Sequence, residues 1–453
     1  MKKYDNYKDS GVEWIGKIPE HWDRIRIKSL VAIKVTDGPH ETPQWIENGV
    51  PFISAEAIKG NKIDLDFKRG YISTEQHLEY CKKSKVLKND ILFCKSGSTT
   101  GKSALVDTDV DFGIWSPLAI IRADKNKIDY KYLFQSIQSS LFQNQVETAW
   151  TFGTQPNIGM GALENLWIAI PTLEEQQSIA NYLDHKTTQI DTLIAKKEQF
   201  ISLLQEERTA VINQAVTKGL DPKVKMKDSG IEWLGEIPEH WEVKKLKYLL
   251  KENKDSLKTG PFGSHIKNSD YIPNGNYKVY TQRNVLDNEY ENGCESISEE
   301  KFDELKGFTI YEGDVLITTR GSIGRCSVFP ENMPTGILHP CLIRIQINEN
   351  LSLRNWIVNY INNTSLFYNN VKFNSNSTII DVIYGYTLKE IFFPTPSIIE
   401  QKKILEFLEV KINEIDTLIS KSQQEIELLK EYKTALISEV VTGKVDVRDV
   451  ILN

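Results

Sequence analysis

The side chains best suited to chemistry in this sequence sit in two short turns, KSGSTTGKSAL at 95–105 and TTRGSIGRCSV at 318–328. Each sets hydroxyls and cations among glycines: Lys95, Ser98, Thr99, Thr100 and Lys102 in the first, Arg320, Ser322 and Arg325 in the second. A loop that wraps a nucleotide phosphate needs GxxxxGK followed by Ser or Thr, so that successive backbone amides converge on it. Three residues separate Gly97 from Gly101 and two separate Gly321 from Gly324, so the spacing fails for an NTPase. Short hydroxyls, bare glycine amides and a cation suit a DNA phosphate or base edge instead. The alternative is a solvated hairpin whose glycines serve only positive φ.

Further polar candidates flank these turns. His40 lies in DGPHETP, and His265 and Lys267 lie in GPFGSHIK, matching loops near the start of each half. A lone histidine in such a loop also serves as a structural hydrogen-bond partner. Gln155 and Asn157, and in the second half Asn374 and Thr378, offer amides and a hydroxyl of the kind that pair with adenine. No HExxH, GxSxG or EF-hand pattern occurs, nor an NPPY-like tetrad with a GxGxG loop, and seven scattered histidines form no metal set. No catalytic residue and no metal ligand is therefore assigned.

These candidates belong to a duplicated frame, and such repeats organise everything else. KDSGVEWIGKIPEHW at 8–22 recurs as KDSGIEWLGEIPEHW at 227–241, with 12 of 15 positions identical. PTLEEQQSIANYLDHKTTQIDTLIAKK from 171 likewise matches PSIIEQKKILEFLEVKINEIDTLISKS from 396. Trp14, Trp22, Trp233 and Trp241, with Pro19 and Pro238, read as apolar anchors that seat each entry motif against a helix end. Between the repeated ends each half reads as mixed α/β, with buried strands beginning at Asp90 and Asp314 that run into the glycine-rich turns.

The later repeat is helical. A heptad places Ile190, Ile194, Ile201, Leu204 and Val211 on one seam and Ile415, Ile419, Ile426, Leu429 and Leu436 on the other. Both seams are interrupted at matched positions, Lys197 and Ser422, then Arg208 and Lys433, which predicts that they face each other in a defined register. About 45 residues without glycine or proline make rods of roughly 65 Å. If the rods pair within the chain they run antiparallel, and VTGKVDV at 441–447, aligned with VTKGLDP at 216–222, brings the C-terminus beside the N-terminus.

Composition sets the outer limits. The 453 residues carry 55 basic and 62 acidic side chains, a net charge of −7 that disfavours a protein coating DNA along its whole surface. Residues 172–216 (seven acids, four bases) and 397–441 (nine acids, six bases) carry −3 each, so the globular parts are almost neutral. No run approaches about 18 uncharged apolar residues, and the start lacks the apolar stretch of a secretory signal. The five cysteines, 81, 94, 294, 326 and 341, are widely spaced and read as reduced thiols, so a cytoplasmic location is expected.

Taken together, the KDSG(V/I)EW(I/L)G(K/E)IPEHW entries, the DGPHETP and GPFGSHIK loops, the D(I/V)L strands with their turns, the EQ-containing helix starts and the VTKGLDP and VTGKVDV ends resemble the specificity subunit of type I restriction-modification systems. The resemblance covers essentially the whole chain. It implies two α/β (α+β) target recognition domains in pseudo-symmetric copies, joined by two long helices forming an antiparallel coiled coil. The first domain would span 1–170, the first helix 171–217, a linker and the second domain 218–395, and the second helix and tail 396–453. Each domain would read half of a split double-stranded DNA target. Partners would be two methyltransferase subunits and the endonuclease/translocase subunits, which would bring SAM, ATP and Mg; this chain would hold no cofactor and no active site. A coiled-coil DNA-binding or scaffold protein outside any restriction complex, and a free-standing enzyme, are the other readings. A scaffold explains the rods but not two diverged inserts on one frame.

Overall fold

A computed structural model describes residues 2–152, 155–375 and 382–451, and among these the chain divides into two compact units. One comprises 1–198 with 423–453, the other 199–422.

In the first unit the apolar runs Ile91–Cys94 and Leu118–Ile121 are fully buried and form the centre of a four-stranded antiparallel sheet. Its order is Ser103–Leu105, Ile91–Cys94, Leu118–Ile121, Thr36–Asp37. A second sheet pairs Val50–Ile53 parallel to Gly113–Ile114 and antiparallel to Gly70–Ile72. The second unit repeats this topology. Leu257–Thr259, Leu342–Ile345, Val315–Thr318 and Cys326–Val328 make the four-stranded sheet, and Tyr277–Tyr280 lies between Glu295–Ile297 and Gly336–Leu338, parallel to the latter. The duplication therefore extends through the interior where the sequences have diverged.

Each four-stranded sheet carries an ion pair on a buried aspartate at its D(I/V)L strand, with the arginine half-buried in the first unit and buried in the second. Arg122 grips Asp90 through Nε and Nη2, both at 2.7 Å. Arg344 Nη1 lies 3.4 Å from Asp314 Oδ2 and donates to Thr309 O at 2.7 Å, while Gln346 Nε2 donates to the other oxygen of Asp314 at 2.9 Å. Those repeated aspartates thus close the sheet, and breaking such a pair leaves an uncompensated buried charge.

Helices Tyr130–Gln138 and Ser140–Thr148 follow in the first unit, each with its cap: Asp129 accepts from Lys131 N and Tyr132 N, and Ser139 accepts from Phe142 N. Arg354–Asn363 and Ser365–Ser375 are their counterparts. The strands Trp167–Ile170 and Phe392–Thr395 return to pair with Asp23–Arg26 and Glu242–Lys245, and lead into the long helices Leu173–Lys218 and Ile398–Val441.

The entry motifs lock onto those helices. Trp22 is fully buried, and its Nε1 donates to Glu175 Oε1 at 3.2 Å, with Tyr4 OH donating to the same oxygen and His21 Nε2 3.0 Å from Oε2. Trp241 repeats this with Glu400 at 3.0 Å, beside His240 at 2.8 Å. Gln176 and Gln401, next in each motif, accept from Asp129 N and Leu353 N, both at 2.8 Å. Glycines end the long helices in the left-handed region, Gly219 at φ +75° and Gly443 at φ +71°. A side chain at Gly443 would stand 2.3 Å from Pro19 Cδ, and one at Gly219 would stand 3.3 Å from Trp241. Trp22, Glu175 and Gly443 in one unit, and Trp241, Glu400 and Gly219 in the other, are thus one joint built twice. Trp14 departs from expectation: it is exposed and anchors nothing in the first unit's core, whereas Trp233 is partly buried against the core of the second unit.

Each unit contains the start of one long helix and the end of the other, and the two run antiparallel within it. In the first unit Lys433 Nζ meets Asp191 at 2.6 Å and Lys197 pairs with Glu425; in the second, Arg208 Nε meets Asp416 at 3.1 Å. Ile190, Leu204, Ile415, Ile426 and Leu436 are buried, and Ile194, Ile201, Val211, Ile419 and Leu429 are partly so. The seam interruptions Lys197, Arg208 and Lys433 are the residues that reach across it. In the first unit the tail also meets the N-terminus: Asp446 N donates to Lys2 O at 2.9 Å and Tyr7 OH to Gly443 O at 3.0 Å.

Candidate nucleic-acid interface

In each unit one end of the four-stranded sheet gathers four segments that are distant in sequence. In the first, the Ile91–Cys94 strand runs into its glycine-rich turn, where Lys95 N donates to Pro117 O and Ile158 N to Lys95 O, both at 2.8 Å. Gly97 N donates to Pro156 O at 3.0 Å, so the turn lies along Gln155 and Asn157. The DGPHETP loop closes on the same end through Ser116 N to Pro39 O at 3.1 Å. In the second unit Thr319 N donates to Cys341 O at 2.9 Å and Ile383 N to Thr319 O at 3.0 Å, while Gly260 N donates to Leu342 O at 2.9 Å. The same four-part corner results. Gly38 and Gly260 permit it, because a Cβ there would stand 2.1 Å from Ile114 O and 2.2 Å from His339 O.

Within these corners the candidate residues separate. Lys102 and Arg325, and with them Ser98, Gln155, Asn157, Arg320, Ser322, His265 and Lys267, are exposed. Lys102, Arg320 and Arg325 have no carboxylate partner among the described residues; Arg325 Nη1 is steadied by Asn362 O at 3.1 Å. Thr99 is half-buried. Asn374 falls in the backbone of the helix Ser365–Ser375, and Thr378 lies outside the described residues.

Three expectations are corrected. The glycine amides are not bare: Gly97, Gly101 and Gly324 donate to Pro156, Cys94 and Thr318 carbonyls, which holds the turns shut. The Thr100 hydroxyl is spent inside its turn on Gly97 O at 2.7 Å. Lys95 is drawn inward to Asp37, 3.2 Å away, where Lys83 and His40 also converge at 2.7 and 3.0 Å. Burial pushes the Asp37 carboxyl up, but the hydrogen bonds from Lys83 and Lys95 outweigh it and hold it below the usual carboxylate range. What the corners present to a ligand is therefore side chains on a closed scaffold. His339, unmarked in the sequence, accepts from Cys341 N at 3.2 Å, and burial lowers its pKa below the ordinary imidazole value. Gln282, beside Gly321, was also missed, since only the sheet's packing brings the helix Gln282–Asp287 to the turn.

The described residues thus form two mixed-sheet modules of one topology, each ending in a polar loop-built corner and each containing a pair of antiparallel helix segments. The chain belongs to the type I restriction modification DNA specificity domain family, whose model matches residues 19–202 and 238–428. It is thereby a sequence-specificity component acting on DNA, the non-catalytic member of its type of enzyme. It is 27% identical to the putative type I restriction enzyme MjaX specificity subunit of Methanocaldococcus jannaschii, over 98% of both chains. To the EcoKI specificity subunit of Escherichia coli it is 23% identical, over 95% of this chain and 90% of the other. Among solved structures it resembles the HsdS subunit from Thermoanaerobacter tengcongensis, with a TM-score of 0.55 at 17% identity over 94% of this chain and 98% of the other. A chain from a study of complex assembly and conformational transition of the type I R-M system gives a TM-score of 0.71, also at 17% identity, over 94% and 99%. The structural likenesses speak to the fold. Among the described residues no helix is long and apolar enough to cross a membrane.

Proposed function

We propose that each unit reads one half of a split duplex target through its sheet-end corner, and that the paired helices set the unread gap and carry two methyltransferase subunits. The observation that carries this reading is the duplicated corner itself: the same four backbone segments meet in both units, while the exposed side chains differ (Lys102, Gln155 and Asn157 against Arg325, Arg320 and His265). One scaffold with two side-chain sets is what two different half-sites require, since phosphate contacts position and base contacts specify. Endonuclease/translocase subunits would join the methyltransferases, and SAM, ATP and Mg would be held by these partners.

Exchanging residues 23–170 for the equivalent segment of a relative, followed by methylation mapping in a host that also carries the methyltransferase, tests the assignment. One half of the methylated sequence should change and the other persist. A heptad inserted after Leu204 should keep both halves and lengthen the gap. If the exchange alters both halves, or the insertion changes base identity at unaltered spacing, the reading fails.

A further inference from the structure

Beside the second unit's corner stands an aromatic pair with no counterpart among the described residues of the first. Tyr384 and Tyr386 stack with ring centroids 5.5 Å apart and planes within 10°, yet are 51% and 71% exposed. Their backbone is fixed. Ile383 N donates to Thr319 O at 3.0 Å, and Gly385 between the rings sits on the strand Leu257–Thr259, where a Cβ would meet Leu257 Cδ2 at 2.8 Å. Aligning Ile158 with Ile383 and Leu163 with Leu388 sets Gly159 and Gly161 opposite the two tyrosines. Built Cβ atoms at Gly159 and Gly161 find nothing within 4 Å, so these positions face open space in the first unit. The frame is thus shared, and only one copy fills it.

Two rings left in water on a fixed backbone lack a folding role: neither belongs to the core of its unit. Tyrosine gives a large rigid contact at the loss of only two torsions. Arg320, on the turn that Ile383 bonds, adds positive charge alongside. Resting on the two-reader assignment above, we propose that Tyr386 makes an apolar contact with the base edges or sugars of the half-site read by the second unit. Tyr384 stacks behind it as a positioning residue. The exposed Arg320 cation alongside favours anionic DNA over a protein partner as the occupant.

The test uses the chain assembled with its methyltransferase subunits and a pool of randomised duplexes. The unaltered complex should select a split site. Tyr386→Ala should bind that site about tenfold more weakly, relax preference at positions of the second half only, and leave the salt dependence and the unfolding midpoint unchanged. Tyr384→Ala should give a smaller loss in the same half. If Tyr386→Ala selects the same second half with unchanged affinity, the aromatic contact is wrong while the two-reader assignment stands. Failure of the unaltered complex to select a split site removes both. Normal binding to duplex by the variant chain but lost assembly with the methyltransferase would make the pair a protein contact and overturn the inference.

Discussion

The indole Nε1 of Trp22 donates to Glu175 Oε1 across 3.2 Å and 153 residues of chain, tying the entry motif to the first turn of a long helix. The carboxylate is buried and also receives Tyr4 OH at 2.6 Å. Glu400 is more open and, among the described residues, receives only Trp241 and His240. Removing an acceptor from buried donors costs about 1–3 kcal/mol. Glu175→Ala should therefore destabilise the first unit by about 3 kcal/mol and Glu400→Ala the second by about 1 kcal/mol, read from urea unfolding of each variant. Equal effects would show that the extra donor at Glu175 contributes nothing.

Arg208–Asp416 and Lys433–Asp191 are the same seam contact in the two units, since 208 and 433, and 191 and 416, are matched positions. Both pairs are partly exposed, so each contributes at most about 1 kcal/mol. Their expected role is register. Asp416→Arg should lower the unfolding midpoint and Arg208→Asp in the same chain should restore it; a double variant no better than the single would deny the pairing.

Lys102 and Arg325 are free of carboxylates among the described residues. Alanine at either should weaken DNA binding and, for a phosphate contact, reduce the salt slope by about one unit. For a guanine contact the loss should be about 1–3 kcal/mol and confined to one position of one half-site. Binding titrations at several salt concentrations distinguish these, and unchanged affinity and selectivity in both variants would remove the turns from the interface. Lys95→Ala should act on the stability of the first unit instead, because its ammonium belongs to Asp37.

Asp37 has a folded pKa below the unfolded value, so its ion pairs stabilise the first unit fully above the unfolded pKa, about 4. That stabilisation is lost as pH falls through the lower folded pKa. Asp37→Asn should reduce stability at pH 7 and flatten the acid limb of the stability profile below about pH 4. An acid limb identical to that of the unaltered chain would place the linkage elsewhere.

The duplication, the two helices, the seam and the family were legible in the sequence because each is a local or periodic pattern. Ile190, Leu204, Ile415 and Leu436 declare a seam by spacing alone, and the repeated entry motif needs no structure to be seen. The availability of a polar group depends on neighbours that spacing does not reveal. Lys95 and Lys102 look alike seven residues apart, yet one is folded onto Asp37 and the other projects into water. The amide of Gly97 looks open in the sequence, and only the crossing of a distant segment supplies its acceptor, Pro156 O. Tyr384 and Tyr386 became a candidate contact only when Gly159 and Gly161 showed the same positions facing open space. Periodicity is written along one chain, whereas exposure, pairing and charge neutralisation arise where the fold brings distant segments together, and the tertiary structure alone decides them.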